Sequence, residues 1–80
     1  MTAYHGIAEA ELLDAIDRLT LIDRPAREAL DQSLADLGID SLELFKFAMD
    51  LEDAVKLRLD VEKITPLSTL QEVLQALQPA

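Results

Sequence analysis

The chain has 80 residues, half of them hydrophobic, and a formal net charge of −9 from 16 acidic and 7 basic side chains. This length predicts one small domain, residues 1–80, with a single core and little room for an enclosed active site. The lack of cysteine excludes disulfides, thiolate metal sites and a cysteine nucleophile. The acidic balance disfavours nucleic acid and anionic membrane surfaces as partners, and favours proteins with basic patches.

The distribution of apolar residues bears on location. The longest runs of apolar residues are short, and the sequence shows no N-terminal pattern of charged residues followed by a hydrophobic segment. We therefore expect no transmembrane span and no secretory signal, which leaves the cytoplasm as the default location. We also expect a monomer.

The first predicted element is an amphipathic helix from about Ile7 to Leu19. Leu12, Ile16 and Leu19 recur at three- and four-residue spacing, with acidic residues on the outward side. His5, the single histidine, precedes this helix and has no partner in reach along the sequence. We expect its side chain to be solvent-exposed rather than catalytic.

The connection that follows is long and irregular. Pro25 interrupts helical structure and is predicted to open a short helical turn. Ser33 and Asp36 have the spacing of a cap for another turn, which ends at Gly38. A connection of this length allows the helices on either side of it to lie next to each other.

A second helix is predicted from Ser41 to about Leu57. Asp40 is a good N-cap, and Glu43 lies three residues later, which is the spacing of a capping box. This arrangement places the Ser41 hydroxyl at a helix N-terminus, beside backbone N–H groups that have no partner within the helix. Such a position is suited to a phosphate ester.

The side chains of the second helix sort into three zones at about 100° per residue. The zone predicted to face the core contains Leu44, Phe47, Ala48, Leu51 and Val55. The polar zone contains Glu43, Lys46, Asp50 and Asp53. Between them, on the side of Ser41, lie Leu42, Phe45 and Met49. These three are either additional core or an exposed docking strip with an acidic rim that includes Glu52, and the neighbouring Ser41 favours docking.

The last quarter of the chain predicts two helices. Pro66 ends helical structure, so residues 58–64 can form at most a short third helix, with Leu59, Val61 and Ile64 pointing inward. A final helix begins at Ser68 or Thr69, since each opens a capping-box pattern. Its apolar side contains Leu70, Val73, Leu74 and Leu77, and residues 78–80 are a tail.

No segment shows the alternating period of a strand. The predicted fold is therefore all-α: a small four-helix bundle of three main helices and one short helix.

The usual catalytic constellations are missing from the sequence. His5 is too isolated for a serine–histidine pair, and two glycines are too few for a phosphate-binding loop. Asp31, Asp36 and Asp40 are spaced wrongly for a calcium loop. We therefore expect no catalytic residue and no metal site, and a protein that other enzymes modify rather than an enzyme.

The fragment from Leu37 to Glu43, in which Asp-Ser-Leu follows Leu-Gly-Ile, resembles the prosthetic-group site of acyl carrier proteins. The resemblance extends roughly from Ser33 to the end of the chain, and residues 62–65 support it. It implies that Ser41 receives 4′-phosphopantetheine from coenzyme A through a phosphopantetheinyl transferase, which Asp40 helps to engage. It also implies that the thiol of this arm holds an acyl group as a thioester.

The same resemblance implies roles for two further sets of residues. The set expected to meet acyl-loading and acyl-processing enzymes with basic docking patches contains Leu42, Glu43, Phe45, Met49, Asp50 and Asp53. The set expected to line a cleft for the acyl chain contains Leu51, Val55, Leu59 and Ile64.

Two departures from fatty-acid carriers bear on the pathway. Lys46 lies at a position that is often acidic in those carriers, and residues 58–64 form a shorter segment. Both favour polyketide or other specialised biosynthesis over fatty acid synthesis. An aminoacyl or peptidyl carrier is the nearest alternative, although its serine more often follows Gly-Gly-His or Gly-Gly-Asp. An unmodified helical adaptor, whose exposed strip binds a partner helix, is the alternative from another class.

Overall fold

The structure is a computed structural model that describes residues 3, 4 and 6–79. His5 lies outside the described residues. The strands and α-helices, in chain order, are β1 (Ala3–Tyr4), β2 (Ile7–Ala8), α1 (Glu9–Arg18), α2 (Glu43–Val55), β3 (Leu57–Leu59), α3 (Leu70–Gln75) and β4 (Leu77–Pro79). Two single turns of 3-10 helix, Ala26–Glu28 and Val61–Lys63, lie in the connections.

The three main predicted helices are present, but the four-helix bundle is not confirmed. The predicted short third helix is reduced to the 3-10 turn Val61–Lys63, in which the Asp60 carboxylate accepts a hydrogen bond from the Glu62 N–H. Thr69 is the cap of the last helix: its hydroxyl accepts from the Glu72 N–H, and the Glu72 carboxylate accepts from the Thr69 N–H. The capping box therefore located the start of α3 correctly.

Strands occur where the sequence predicted none. β3 pairs antiparallel with β4, from Leu57 opposite Pro79 to Leu59 opposite Leu77, and so includes residues assigned to a tail. Leu57 and Leu59 are buried and Arg58 between them is exposed, which is the alternation of a strand. Three residues are too few for that period to be recognised in the sequence. At the other end of the chain, β1 pairs with β2.

One apolar core joins the elements. All five residues predicted for the inner face of α2 are buried, as are the four predicted for the apolar side of the last helix. No polar or charged side chain is buried among the residues for which burial is described. Leu19 differs from its prediction, because it lies just beyond the end of α1 and is 43% exposed.

Hydrogen bonds hold the long connection between α1 and α2 at its start. The Asp17 carboxylate accepts from the backbone N–H of Ala26 at 2.8 Å, next to the turn that Pro25 was predicted to open. The Arg24 guanidinium donates to the Asp23 carboxylate (Nε to Oδ1, 2.9 Å) and to the Gln32 side-chain oxygen. The hydrogen bond from Arg24 lowers the pKa of Asp23 below its ordinary value of 3.8.

The second half of the connection is joined to the chain that enters α3. Four backbone hydrogen bonds link the two segments: Leu34 N to Ser68 O (2.9 Å), Ala35 N to Pro66 O (2.8 Å), Leu70 N to Gln32 O (3.1 Å) and Gln71 N to Leu30 O (3.0 Å). The segment that leads into α2 is therefore fixed in place, although it contains no helix of more than one turn.

Candidate functional site

A turn with two buried anchors leads into the start of α2. Leu37 and Ile39 are each 3% exposed, and Gly38 between them has a φ of +86°, which glycine adopts without strain. The Ile39 N–H donates to the Leu34 carbonyl at 2.9 Å. Because side chains on both sides of Gly38 are held in the core, the residues that follow Ile39 begin from a defined position.

Asp40 caps the turn that becomes α2. Its Oδ1 accepts from the N–H groups of Leu42 (3.0 Å) and Glu43 (2.9 Å), and its carbonyl accepts from Leu44 N–H at 3.0 Å. Regular α-helix begins only at Glu43, with residues 41 and 42 in the turn before it. No hydrogen bond among the described residues involves the Glu43 carboxylate, so the predicted capping box is half formed.

Ser41 is exposed in this turn, between the buried side chains of Ile39 and Leu44. No hydrogen bond among the described residues involves its hydroxyl, which solvent can reach. The electrostatic environment of Ser41 differs in one respect from the one that the sequence predicts. Two of the N–H groups predicted to favour a phosphate already donate to Asp40, so the attraction for an anion is weaker than the sequence indicated.

The structure decides between the two interpretations of Leu42, Phe45 and Met49. Their exposed fractions are 85%, 62% and 63%, so these residues are not additional core. We call these three residues the apolar strip: Leu42 lies in the turn that leads into α2, and Phe45 and Met49 lie on α2 itself. Ser41 directly precedes Leu42. A group of three large apolar side chains in solvent is a feature of protein interaction sites.

The charged residues beside the apolar strip are only partly as expected. Lys46 Nζ forms an ion pair with Asp50 Oδ2 at 2.9 Å, while Glu43 and Asp53 are exposed and take part in no ion pair among the described residues. Glu52 was predicted at the rim, but its Oε2 accepts from the Leu59 N–H at 2.7 Å. Glu52 thus connects α2 to β3, and Glu43 and Asp53 are the carboxylates available to a basic partner.

The four predicted cleft residues are packed in the core. Leu51, Val55, Leu59 and Ile64 are 0%, 7%, 5% and 4% exposed. The clefts described at the surface each contact at most one of them. Their role as an acyl cleft stays a prediction, and it requires the core to open.

A groove that the sequence did not predict runs beside the site. Its walls include Thr20, Leu21, Ile39 and Glu43, and it continues along α2 as far as Asp50. We call it the α1–α2 groove, because the connection after α1 forms one wall and the first half of α2 forms the other. Only tertiary packing brings these segments together, so no local sequence pattern could have found it.

These features define a small helix-rich domain with an exposed serine hydroxyl in the capped turn that leads into α2. A family model described as the phosphopantetheine attachment site matches residues 10–77. The chain therefore belongs to this family, whose members are carrier domains with a covalently attached 4′-phosphopantetheine as cofactor. Phosphopantetheinyl transferases modify such domains, which interact with biosynthetic enzymes. Comparisons with curated proteins and with solved structures returned no match.

The residues around Ser41 fit this cofactor. The hydroxyl is the chemical group that forms a phosphate ester, and Ser41 and its neighbours Leu42 and Glu43 are all exposed. Two further results concern metal binding and membrane insertion. No group of histidine, cysteine or acidic residues within 6–79 and residues 3 and 4 is arranged to hold a metal ion. None of the described helices is long and apolar enough to cross a bilayer.

Proposed function

We propose that the protein is an acyl carrier whose Ser41 bears the 4′-phosphopantetheine arm. It delivers acyl intermediates to partner enzymes of polyketide or another specialised biosynthesis, or of fatty acid synthesis. When bound, the arm supplies a terminal thiol that carries the acyl group as a thioester. The observation that carries this proposal is the exposed, unbonded hydroxyl of Ser41 at the capped start of α2.

The other two serines support the assignment to Ser41 by contrast. The Ser33 hydroxyl accepts a backbone hydrogen bond from Asp36 at 3.2 Å, and the Ser68 hydroxyl accepts one from Thr65 at 3.0 Å. Both side chains therefore stabilise turns, and both residues are half-buried. Ser41 has no such structural task among the described hydrogen bonds.

Loading of the arm is a displacement at phosphorus. The Ser41 oxygen bonds to the phosphorus that carries pantetheine in coenzyme A, the bond from that phosphorus to the oxygen bridging the two phosphates breaks, and adenosine 3′,5′-bisphosphate leaves. The Oδ1 atom of Asp40 accepts from two backbone N–H groups, which holds this carboxylate against the turn. We assign the acceptance of the hydroxyl proton to a base of the transferase. The role of Asp40 is to fix the turn and to present a charge to the transferase. We therefore propose a carrier without catalytic residues of its own.

Delivery requires docking that is specific but weak. The apolar strip offers a small contact area, and the carboxylates of Glu43, Asp50 and Asp53 offer charge to basic partners, with that of Asp50 shared with Lys46. Small, partly polar interfaces dissociate readily, which allows the carrier to leave one enzyme for the next. A tethered acyl group then meets each enzyme at high effective concentration.

The test is the intact mass of the protein after co-expression with a promiscuous phosphopantetheinyl transferase. We expect the wild type to gain the mass of one phosphopantetheinyl group and Ser41→Ala to gain none. Ser33→Ala is the matched control, because it removes a hydroxyl of the same type from a turn nearby and should leave loading complete. Absence of a gain in the wild type, or a gain that persists in Ser41→Ala, refutes the proposal.

A further inference from the structure

A turn formed by residues 65–68 precedes α3 and is closed by three hydrogen bonds of its own. The Ser68 N–H donates to the Thr65 carbonyl at 2.9 Å, and the Ser68 hydroxyl accepts from the Thr65 N–H at 3.0 Å. The Thr65 hydroxyl accepts from the Leu67 N–H at 3.1 Å. Two hydroxyl groups and the fixed φ of Pro66 therefore define the shape of this segment, which we call the 65–68 turn.

The 65–68 turn offers two carbonyls to the segment that leads into α2. The Ser68 carbonyl accepts from the Leu34 N–H at 2.9 Å, and the Pro66 carbonyl accepts from the Ala35 N–H at 2.8 Å. Of the four backbone hydrogen bonds that join the two segments, these two lie nearest to α2 along the chain. The shape of the 65–68 turn therefore sets where the chain before α2 is held.

Leu34 connects the 65–68 turn to the proposed attachment site. Its side chain is fully buried, and its carbonyl accepts from the N–H groups of Leu37 (3.0 Å) and Ile39 (2.9 Å). Ile39 is two residues before Ser41, a span of at most about 7 Å along the chain. A displacement of the 65–68 turn therefore displaces the backbone that presents Ser41, whereas α2 keeps its position because its inner face is packed in the core.

We propose that Ser68 is a positioning residue for the transfer of phosphopantetheine to Ser41. This inference rests on the proposed attachment at Ser41. The Ser68 hydroxyl keeps the 65–68 turn in the shape in which its carbonyls hold Leu34 and Ala35. Displacement at phosphorus requires the attacking oxygen to lie close to the phosphorus and in line with the bond that breaks, and a small misplacement slows the reaction. A loosened 65–68 turn therefore slows the transfer itself and leaves docking on α2 intact.

Single-turnover loading with coenzyme A and an excess of a phosphopantetheinyl transferase separates transfer from docking. We expect Ser68→Ala to lower the maximal rate by about threefold, with no change in the transferase concentration that gives half of this rate. A variant that is only less stable keeps the maximal rate, because saturating transferase draws the carrier into the folded, bound state. Ser68→Thr keeps the accepting hydroxyl and should load at the wild-type rate.

Thr69→Ala is the matched control for Ser68→Ala. It removes a hydroxyl from the next residue, and this hydroxyl also accepts one backbone hydrogen bond, from the Glu72 N–H at 3.2 Å. Its loss weakens the start of α3 but leaves the hydrogen bonds within the 65–68 turn in place. We therefore expect Thr69→Ala to load at the wild-type maximal rate.

Hydrogen exchange of the apo protein tests the same connection without a transferase. In Ser68→Ala we expect the Leu34 and Ile39 amides to exchange about fivefold faster, the factor that corresponds to the loss of one hydrogen bond. The amide of Leu51, in the middle of α2, should exchange as in the wild type. Thr69→Ala should leave the exchange of Leu34 and Ile39 unchanged.

The outcomes distinguish this inference from the carrier function. A wild-type maximal rate in Ser68→Ala, or an equal loss of rate in Thr69→Ala, overturns the role of Ser68 and leaves the carrier function intact. Equal acceleration of exchange at Leu34 and Leu51 does the same, because it assigns Ser68 to overall stability. Failure of the wild type to load at Ser41 refutes both.

Discussion

Neighbouring residues at the start of α2 perform separate tasks. Asp40 directs its carboxylate into the backbone and organises the turn, while Ser41 leaves its hydroxyl in solvent. Leu37 and Ile39 hold the turn from one side, and Leu44 holds it from the other. An exposed hydroxyl is thereby kept at a defined position in the turn that leads into α2.

The two contributions of Asp40, cap and charge, can be separated by substitution. Asp40→Ala removes both and should lower the free energy of unfolding by about 1 kcal/mol, the usual cost of losing a cap. Asp40→Asn keeps a capping oxygen and should lower it by only a few tenths of a kcal/mol, since Asn and Asp cap similarly. Urea denaturation measures these values.

Loading kinetics of the same variants test recognition by the transferase. If the charge of Asp40 engages the transferase, Asp40→Asn should load more slowly although it remains folded. Loading of Asp40→Asn at the wild-type rate would leave Asp40 with a structural role alone.

At the scale of elements, α2 packs one face into the core and offers the opposite face to solvent. The buried inner face explains the helical spacing of most apolar residues in α2. The apolar strip lies outside the core, so packing of the domain does not explain its apolar side chains. Exposure of large apolar side chains is unfavourable in an isolated small protein. Binding of a partner protein would bury these side chains and would account for the apolar strip.

Substitution of Met49 tests whether the strip meets partners. Met49→Glu should change the free energy of unfolding by no more than about 0.5 kcal/mol, because the side chain is 63% exposed, and circular dichroism should show unchanged helix content. The second-order rate constant for loading by the phosphopantetheinyl transferase should fall by about fivefold. This factor corresponds to a loss of roughly 1 kcal/mol of binding free energy, which is typical of one contact residue in an interface.

Leu67→Glu is the control for Met49→Glu. Leu67 is 81% exposed and lies outside α2, so the same change of polarity and charge is made away from the apolar strip. An equal loss of rate in both variants would show that added negative charge is the cause. An unchanged rate in Met49→Glu would exclude Met49 from the interface with the transferase.

At the scale of the molecule, the net charge of −9 gives the surface a long-range field. Ion pairs among the described residues engage Asp14, Asp23, Asp50 and Asp60, and most of the other carboxylates are left to solvent. Such a field speeds the approach of basic partners more than it strengthens the complex.

Salt should therefore slow loading by a basic transferase. The Debye length shrinks from about 30 Å at 0.01 M to about 3 Å at 1 M ionic strength, so kcat/KM for the carrier should fall across that range. Glu43→Gln should reduce this dependence more than Glu11→Gln does, because Glu43 lies beside Ser41 and Glu11 lies on α1. Equal effects of the two substitutions would assign the salt dependence to overall charge rather than to the docking surface.

Local patterns in the sequence were sufficient to predict the three main helices, the inner face of α2 and a capping-box start for α3 at Ser68 or Thr69, of which Thr69 is the cap. They placed Ser41 at the first position of a helix that begins only at Glu43. These features depend on side-chain periodicity and on capping residues within a few positions of one another. The resemblance to acyl carrier proteins agrees with the match to the phosphopantetheine attachment family. The acyl cargo, the pathway and the roles of individual site residues remain proposals.

Tertiary structure alone decided the rest. The pairing of β3 with β4, the inward turn of Glu52 and the α1–α2 groove all join residues that are distant along the chain. The sequence could not decide whether the apolar strip is exposed. The helical period gives the order of side chains around the helix axis, but it does not say which side of the helix is covered by other parts of the chain. The extent of coverage depends on where the long connection packs. Its backbone hydrogen bonds to the segment before α3 set that position.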